Sequence, residues 1–406
     1  MKRIIVLGGG ADQVDLLREL KKRGYYTVLV DYYPNPVARP HCDVHVQEST
    51  LDREAVLRLA KEYHADNIIT ACIDQALLTV AYVAEQLGFP RQLSYQQALN
   101  MTSKVYMKKV MTEHGIPTPK YRRVDSCDGS LVDGMQFPLM VKPSDSNGSF
   151  GVRRANNESE LRTFTKAALA ISRSHLAVIE EFRSGIEVGV DCYISNKKAR
   201  VLMMGQVNKK PVGDSVLLIF QTLIPAAISD GAKSGIAEIL DAIVRAFDLD
   251  NTPLLLQVLV NGDEVSVIEF APRIGGASKH RTIHLATGFN ILSANIDAAF
   301  GKVPDVEAFP VKGYYSRNHI YALPKVYGWC SGYEELKQDG TIVEFIINKT
   351  RGMRIPYDLA SRSRVANFLV KAESRELVMC KIRRAVDRLE VYDVEGRPIM
   401  RKDVFD

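Results

Sequence analysis

The chain has little that would mark a secreted, membrane-spanning or zinc-finger protein. Its six cysteines lie far apart among 406 residues, and none has C-x-x-C or Cys/His ligand spacing. No apolar stretch approaches the roughly 18 residues of a membrane helix. The short apolar run near the first residue ends in glycines rather than in a signal-peptide cleavage site. These absences predict reduced thiols, a cytoplasmic location and no membrane partner.

An excess of one charge is also missing. The formal net charge is +5, and the basic residues are spread along the chain instead of forming a block. A nucleic-acid partner is therefore not expected. A hydrophobic content of 46% with 25% charged residues is typical of a soluble globular protein, and the length favours two or three domains.

Strand and helix patterns alternate over the first hundred residues. A strand over Arg3–Leu7, a helix over Asp12–Arg23 and a strand over Thr27–Val30 are followed by a helix over Asp52–Tyr63 and a strand over Asn67–Ala71. Strands that alternate with helices at this spacing predict a parallel, Rossmann-like sheet.

The rest of the chain has a different pattern. A small α/β unit is predicted around strands at Leu139–Lys142 and Val178–Glu181. Longer strands follow, and the last hundred residues are β-rich up to a helix over Ser374–Leu389. The predicted class is α/β, with a C-terminal α+β domain that contains an antiparallel sheet.

A glycine loop follows the first strand and partly matches a dinucleotide-binding fingerprint. Gly8, Gly9 and Gly10 precede a helix, and Asp31 ends the second strand. The third glycine of that fingerprint is absent, because Gln13 stands in its place. A NAD-dependent oxidoreductase is thus a distant alternative, and a contact of the loop amides with a small anionic ligand is preferred.

Two distant segments carry the strongest chemical signal. In the first, Lys142 ends a strand and precedes Pro143 and a loop rich in serine and glycine, residues 144–151. In the second, Glu269 and Arg273 leave a strand four residues apart. Loop amides and a lysine suit phosphates, a carboxylate suits Mg²⁺, and an arginine suits a reacting acyl group.

In this order the segments resemble those of the ATP-grasp superfamily, in particular its biotin-carboxylase-like and carboxylate–amine (L-amino acid) ligase branches. The resemblance implies ATP bound between two sheets under a small lid. It divides the chain into a Rossmann-like domain (1–100), a helical linker (101–118), an ATP-grasp lid (119–187), a catalytic core (188–305) and a C-terminal β-rich appendage packed on the core (306–406).

The resemblance also implies the residues that hold the nucleotide. A lysine before Gly-Ile-Pro-Thr-Pro reaches the phosphates, a second lysine and the Ser/Gly loop cover them, a hinge contacts the adenine edge, and a carboxylate accepts the ribose hydroxyls. In that order these residues are Lys104; Lys142, Ser149 and Gly151; Glu180, Glu181 and Phe182; and Glu187.

For the chemistry, the resemblance implies that Glu269 binds Mg²⁺ and that Gln257 is the second ligand. Most family members have an acidic residue at the position of Gln257 and an asparagine at that of Ala271, so one Mg²⁺ is expected and a second is in doubt. Arg273 would stabilise an acyl phosphate.

A substrate carboxylate would meet the loop after this arginine. The residues implied are Gly275, Gly276 and Ser278. The pocket would also draw on the N-terminal loops and on segments 208–221 and 273–284.

The function that follows is ATP-dependent ligation of a small-molecule carboxylate to an amine, through an acyl phosphate, with release of ADP and phosphate. Carboxylation through carboxyphosphate is a second interpretation, supported by the Glu-Phe-Ala-Pro-Arg sequence at 269–273. A nucleotide-binding module without catalysis is a third. A homodimer is expected from the resemblance alone.

Overall fold

The computed structural model describes residues 1–128, 130–132, 134–212, 216–307, 310–357 and 360–406. Residues 213–215, which belong to the predicted pocket segment 208–221, lie outside the described residues. Among the described residues, no helix is both long enough and apolar enough to cross a bilayer.

The N-terminal part is a four-stranded parallel sheet in the order β3-β2-β1-β4. Its strands are β1 (Arg3–Leu7), β2 (Tyr26–Asp31), β3 (Val44–Gln47) and β4 (Asn67–Thr70). Its helices are α1 (Ala11–Lys22), α2 (Arg53–Glu62) and α3 (Asp74–Leu87). The predicted parallel sheet is confirmed; β3 was not predicted.

Two short helices lead out of this sheet, α4 (Tyr95–Thr102) and α5 (Lys104–Glu113). Ser94 caps the first in a capping box with Gln97, and the side chain of Ser103 caps the second. The cap at Ser103 fixes Lys104 at the first position of α5.

The small unit predicted in the middle of the chain is a four-stranded antiparallel sheet in the order β5-β8-β6-β7. It contains β5 (Tyr121–Val124), β6 (Leu139–Pro143), β7 (Arg153–Ala155), α6 (Glu158–Ile171) and β8 (Ala177–Glu181).

The remaining chain is built on one eight-stranded antiparallel sheet in the order β13-β12-β9-β10-β11-β14-β17-β16. Its first strands are β9 (Ile186–Ser195), β10 (Lys198–Val212), β11 (Val216–Ile224), β12 (Thr252–Asn261) and β13 (Glu264–Ala271). Helices α7 (Asp230–Ala246), α8 (Lys279–Thr287) and α9 (Ile291–Ala299) accompany them.

Three strands of the C-terminal hundred residues continue this same sheet. They are β14 (Tyr314–Tyr321), β16 (Glu344–Ile347) and β17 (Arg364–Ala372). A two-stranded sheet of β15 (Tyr327–Ser331) and β18 (Glu390–Asp393) packs nearby with α10 (Tyr333–Gln338) and α11 (Arg375–Arg388).

Strand β9 separates two environments because its side chains alternate between the faces of the sheet. Val188, Val190 and Cys192 pack into the same apolar cluster as helix α7. The other face carries Glu187, Asp191 and Tyr193, and Tyr193 packs in the same apolar cluster as α1 and α9. Both buried carboxylates of β9 therefore face away from α7.

Candidate active site

A cavity of about 570 Å³ lies between the small antiparallel sheet and the large sheet. Seven of the eight predicted nucleotide residues line it, together with both predicted metal ligands. They are Lys104, Lys142, Ser149, Glu180, Glu181, Phe182 and Glu187, with Gln257 and Glu269.

Gly151 is the predicted nucleotide residue that the structure does not place on the cavity wall. Its φ is +76°, and a Cβ there would meet Pro143 and Ile171. Glycine at 151 thus lets the loop pack against β6 and α6, and its contact with a nucleotide stays a prediction.

Lys104 ties the helical linker to the large sheet. Its Nζ lies 3.3 Å from Glu269 Oε2 and donates to the carbonyl of Ser146 at 2.5 Å. Its backbone N–H donates to the carbonyl of Ser144 at 2.9 Å. The ammonium group consequently lies between the Ser/Gly loop and the predicted metal ligand.

Glu180 is enclosed by two lysines. Lys142 Nζ contacts Oε1, and Lys108 Nζ lies 2.7 Å from Oε2. Burial lowers the pKa of both lysines to about 7, although Glu180 lies against them; nearby Lys104 adds to the effect on each. The Glu180 carboxylate lies between two buried lysines, and its predicted contact with adenine stays a prediction.

Glu187, the predicted ribose ligand, is also paired. Lys209 Nζ contacts its Oε2, and Gln257 Nε2 donates to its Oε1 at 3.4 Å. Lys209 lines the cavity as well. Glu187 thus lies on the cavity wall beside Lys209, and its contact with a ribose stays a prediction.

Glu269 is a carboxylate whose ionised form is stabilised by neighbouring cations. Burial by itself would raise its pKa, but the charges of Lys104, Lys142 and Arg273 outweigh burial and hold the pKa below its usual value. Gln257 lies opposite it in the ladder between β12 and β13. The pair offers one anionic and one neutral oxygen ligand, and the amide nitrogen of Gln257 is committed to Glu187.

Arg273 lies next to Glu269 in a smaller recess lined also by Lys104 and Asp74. Its guanidinium makes a two-bond pair with Asp74, at 2.5 Å from Nε to Oδ1 and 2.7 Å from Nη2 to Oδ2. Burial opposes its charge, but Asp74 outweighs burial and raises the pKa of Arg273. The planar fork is therefore fixed in orientation.

The Ser/Gly loop is docked on the C-terminal part of the chain. The N–H of Ser361 donates to the carbonyl of Gly148 at 3.2 Å, and the Arg362 guanidinium lies 4.2 Å from the centre of the Phe150 ring. A Cβ at Gly148 would collide with the Ser361 hydroxyl.

The three predicted substrate residues line neither the cavity nor the recess. The N–H of Ser278 donates to Asp12 Oδ1 at 2.8 Å. A Cβ at Gly275 would collide with Lys279 and Asp191, whose side chains form an ion pair of 2.8 Å. Their assignment to a substrate carboxylate remains a prediction.

Four charged residues of this region were not singled out as site residues from the sequence. Lys108 and Lys209 resemble ordinary solvated lysines, and Asp74 opens a helix as many aspartates do. Asp191 lies on a strand whose other residues are mostly apolar and buried. A carboxylate in such a strand needs a cationic partner, and this pattern, which identified Glu269, could also have identified Asp191.

Known proteins are similar to this chain in sequence and in fold. Residues 135–280 match the model of the ATP-grasp domain. The large chain of carbamoyl phosphate synthase from Thermotoga petrophila is 22% identical over 291 residues, which is 67% of this chain and 26% of that protein. This chain thus spans about a quarter of the length of the curated relatives it matches.

Solved structures are similar over almost the whole chain. The L-amino acid ligase from Bacillus licheniformis has a TM-score of 0.78 at 20% identity, covering 97% of this chain and 99% of that one. The N5-carboxyaminoimidazole ribonucleotide synthetase from Thermotoga maritima has a TM-score of 0.74 at 22% identity, covering 97% and 100%. Residues 135–280 thus match an ATP-grasp domain, in a chain that has the fold of these ligase and synthetase structures.

Proposed function

We propose that the protein is an ATP-dependent ligase that joins a small-molecule carboxylate to an amine through an acyl phosphate, with release of ADP and phosphate. The observation that carries the proposal is the convergence of Lys104, Glu269 and Arg273 on one recess at the wall of a cavity large enough for a nucleotide.

In this proposal the nucleotide is positioned by charge and by backbone amides. Lys104 and Lys142 face the phosphates, and the Ser/Gly loop covers them. Glu181 and Phe182 supply backbone groups at the adenine edge, and Glu187 accepts the ribose hydroxyls. Phosphoryl transfer needs little more than such positioning and electrostatic stabilisation.

Mg²⁺ fits the oxygen ligands on the wall. Glu269 is ionised, and Gln257 has an amide oxygen beside it, so this pair would hold one Mg²⁺ together with phosphate oxygens. The ion would neutralise phosphate charge. With only one carboxylate in the pair, a second ion would be held weakly.

Arg273 is oriented for the acyl group. Its fork is held by Asp74 and lies beside Glu269, where the negative charge of an acyl phosphate and of its tetrahedral successor would develop. No nucleophilic side chain is required, because the substrate carboxylate and the amine supply the reacting atoms. One γ-phosphoryl group moves to the carboxylate, and the amine then displaces phosphate.

Carboxylation through carboxyphosphate is the second candidate. It is favoured by the Glu-Phe-Ala-Pro-Arg sequence and by the similarity to the carboxyaminoimidazole ribonucleotide synthetase. A nucleotide-binding module without catalysis is the third, because Gln257 and Ala271 reduce the ligands available to metal.

The test is a phosphate-release screen of carboxylates against amines, with ATP and Mg²⁺. We expect ADP and phosphate only when both correct substrates are present, and loss of release in Glu269→Ala. Glu264→Ala, which removes an exposed carboxylate of the same strand, is the matched control. Bicarbonate-dependent release would favour carboxylation, and AMP with pyrophosphate as products would overturn the acyl-phosphate route.

The proposal includes a cellular location and an oligomeric state for the enzyme. All six cysteines are free thiols, which supports a reducing, cytoplasmic compartment. A homodimer is expected, and sedimentation of the full chain tests it.

A further inference from the structure

Three potential ligand atoms converge outside the nucleotide cavity. Asp12 opens α1, Cys72 follows β4 and His280 belongs to α8; an oxygen, the sulfur and a ring nitrogen all lie within 4.8 Å of one another. Cys72 is 208 positions from His280, and Asp12 is 268 positions from it, so the three donors form no sequence motif. The ordinary spacing of metal ligands could not have indicated them.

The ring of His280 is oriented by a carboxylate. Its Nε2 lies 2.7 Å from Asp15 Oδ2, and the carboxylate can only accept, so Nε2 carries the proton. Nδ1 is the second ring nitrogen. It is buried without a hydrogen-bond partner in a residue that is 5% exposed, and Asp12 Oδ1 lies 3.8 Å away. A carboxylate behind a histidine, with the second nitrogen unprotonated, is the usual arrangement around metal-binding histidines.

The cations around these three atoms are already paired. Arg281 pairs with Asp15, Lys279 with Asp191, and Arg273 with Asp74. Among the described residues, Asp12 has no lysine or arginine ion pair; it accepts the N–H of Ser278 and faces His280.

Among the described residues, the side chains of Asp12, Cys72 and His280 make no hydrogen bond with one another. An oxygen of Asp12, the sulfur of Cys72 and a ring nitrogen of His280 face one another, and Nδ1 of His280 has no hydrogen-bond partner. Burial raises the pKa of the Cys72 thiol well above its ordinary value, and the charge of Asp12 adds to this effect.

We propose that Asp12, Cys72 and His280 bind a divalent transition-metal ion of the zinc type, separate from the Mg²⁺ of the nucleotide. Sulfur and imidazole donors select zinc over Mg²⁺ or Ca²⁺. A thiolate and a carboxylate balance its charge, and three protein ligands leave a fourth position open. The partly exposed carboxylate of Asp12, 18% accessible, gives the ion a route of entry. The ion would join the parallel sheet to the core.

The test uses the full chain, stripped with a chelator and dialysed against Zn²⁺ without nucleotide or Mg²⁺. We expect one zinc per chain, and a thiolate-to-metal absorption band on replacement by Co²⁺. Cys72→Ser should abolish that band, and His280→Gln should lower zinc affinity at least tenfold. Asp15→Asn should lower the affinity roughly 10- to 100-fold, as loss of an outer carboxylate usually does.

Matched controls separate the site from adventitious binding. Cys42→Ser removes another partly buried thiol, and His284→Ala removes a histidine one turn along α8; both should keep the zinc and the band. Thermal melting shows whether each variant is folded. A stoichiometry near zero in wild type, or zinc binding by folded Cys72→Ser and His280→Gln as strong as in wild type, overturns the proposal. Because nucleotide is absent, this outcome is independent of the proposed ligase activity.

Discussion

Arg273 and Asp74 form a two-bond ion pair although 199 positions separate them in the chain. Arg273 follows the edge strand of the large sheet, and Asp74 is the first residue of a helix of the parallel sheet. The residue proposed to face the reacting acyl group is thus oriented by a different structural unit from the one that carries it.

Asp74→Asn should slow ADP formation about 10- to 100-fold, because a hydrogen bond between charged groups contributes roughly 1.5–3 kcal/mol. Nucleotide affinity should not change, since Asp74 does not line the nucleotide cavity. Turnover and nucleotide titration check this split. Glu85→Gln, at an exposed position of the same helix, should leave both unchanged; an equal loss of nucleotide affinity in Asp74→Asn would argue against a positioning role.

Gln257→Glu should restore a second anionic ligand beside Glu269. We expect the Mg²⁺ concentration that half-saturates nucleotide binding to fall about tenfold, because ligand charge increases affinity for hard cations. Without Mg²⁺ the variant should be less stable, since the new carboxylate would lie close to Glu187. Gln206→Glu adds a charge elsewhere on the cavity wall and should not change the Mg²⁺ requirement.

Below pH 7, where Lys108 and Lys142 are both protonated, Glu180→Gln should destabilise the folded protein by roughly 3–5 kcal/mol, because it leaves two buried ammonium groups without their carboxylate. Urea unfolding measures the loss. Adding Lys108→Met should recover part of it by removing one of the two charges. Glu181→Gln, whose partner Arg183 is exposed, should have little effect. Wild-type stability in Glu180→Gln would contradict the proposed charge balance.

Nucleotide affinity should decline as the pH rises above about 7. Burial lowers the pKa of Lys142 to about 7 from its usual 10.5, so the free protein loses this charge above that pH, whereas bound phosphates favour the charged amine. Binding then takes up a proton. Calorimetry at pH 8 in buffers of different ionisation enthalpy measures the uptake, and Lys142→Arg, which stays charged, should reduce it.

The same lowered pKa gives a stability effect of definite sign. Between pH 7 and 10.5 the unfolded lysine holds a proton that the folded one has lost, so the contribution of Lys142 to stability rises with pH over that interval. An apo stability that falls with pH there in wild type but not in Lys142→Arg would contradict the assignment.

The sequence predicted those parts of the structure that depend on local pattern. Alternating elements gave the parallel sheet, and the loop after Lys142 and the carboxylate on an apolar strand gave most of the cavity wall. Strand β3 was not predicted because Val-His-Val-Gln is short and half polar. Its alternation of apolar and polar residues is too brief to distinguish a strand from a loop. The partners of Arg273 and Glu180 depend on tertiary contacts, and no spacing in the chain encodes them.

The continuous eight-stranded sheet limits how this chain can be divided. A cut near residue 305 lies between α9 and β14, so it would separate β14 from β11 and leave four ladder pairs of that strand without partners. Residues 306–406 would likewise lose β11, the strand with which β14 pairs. A chimera of two related chains would therefore have to exchange the whole eight-stranded sheet. Exchange of the last hundred residues alone would not transfer substrate preference.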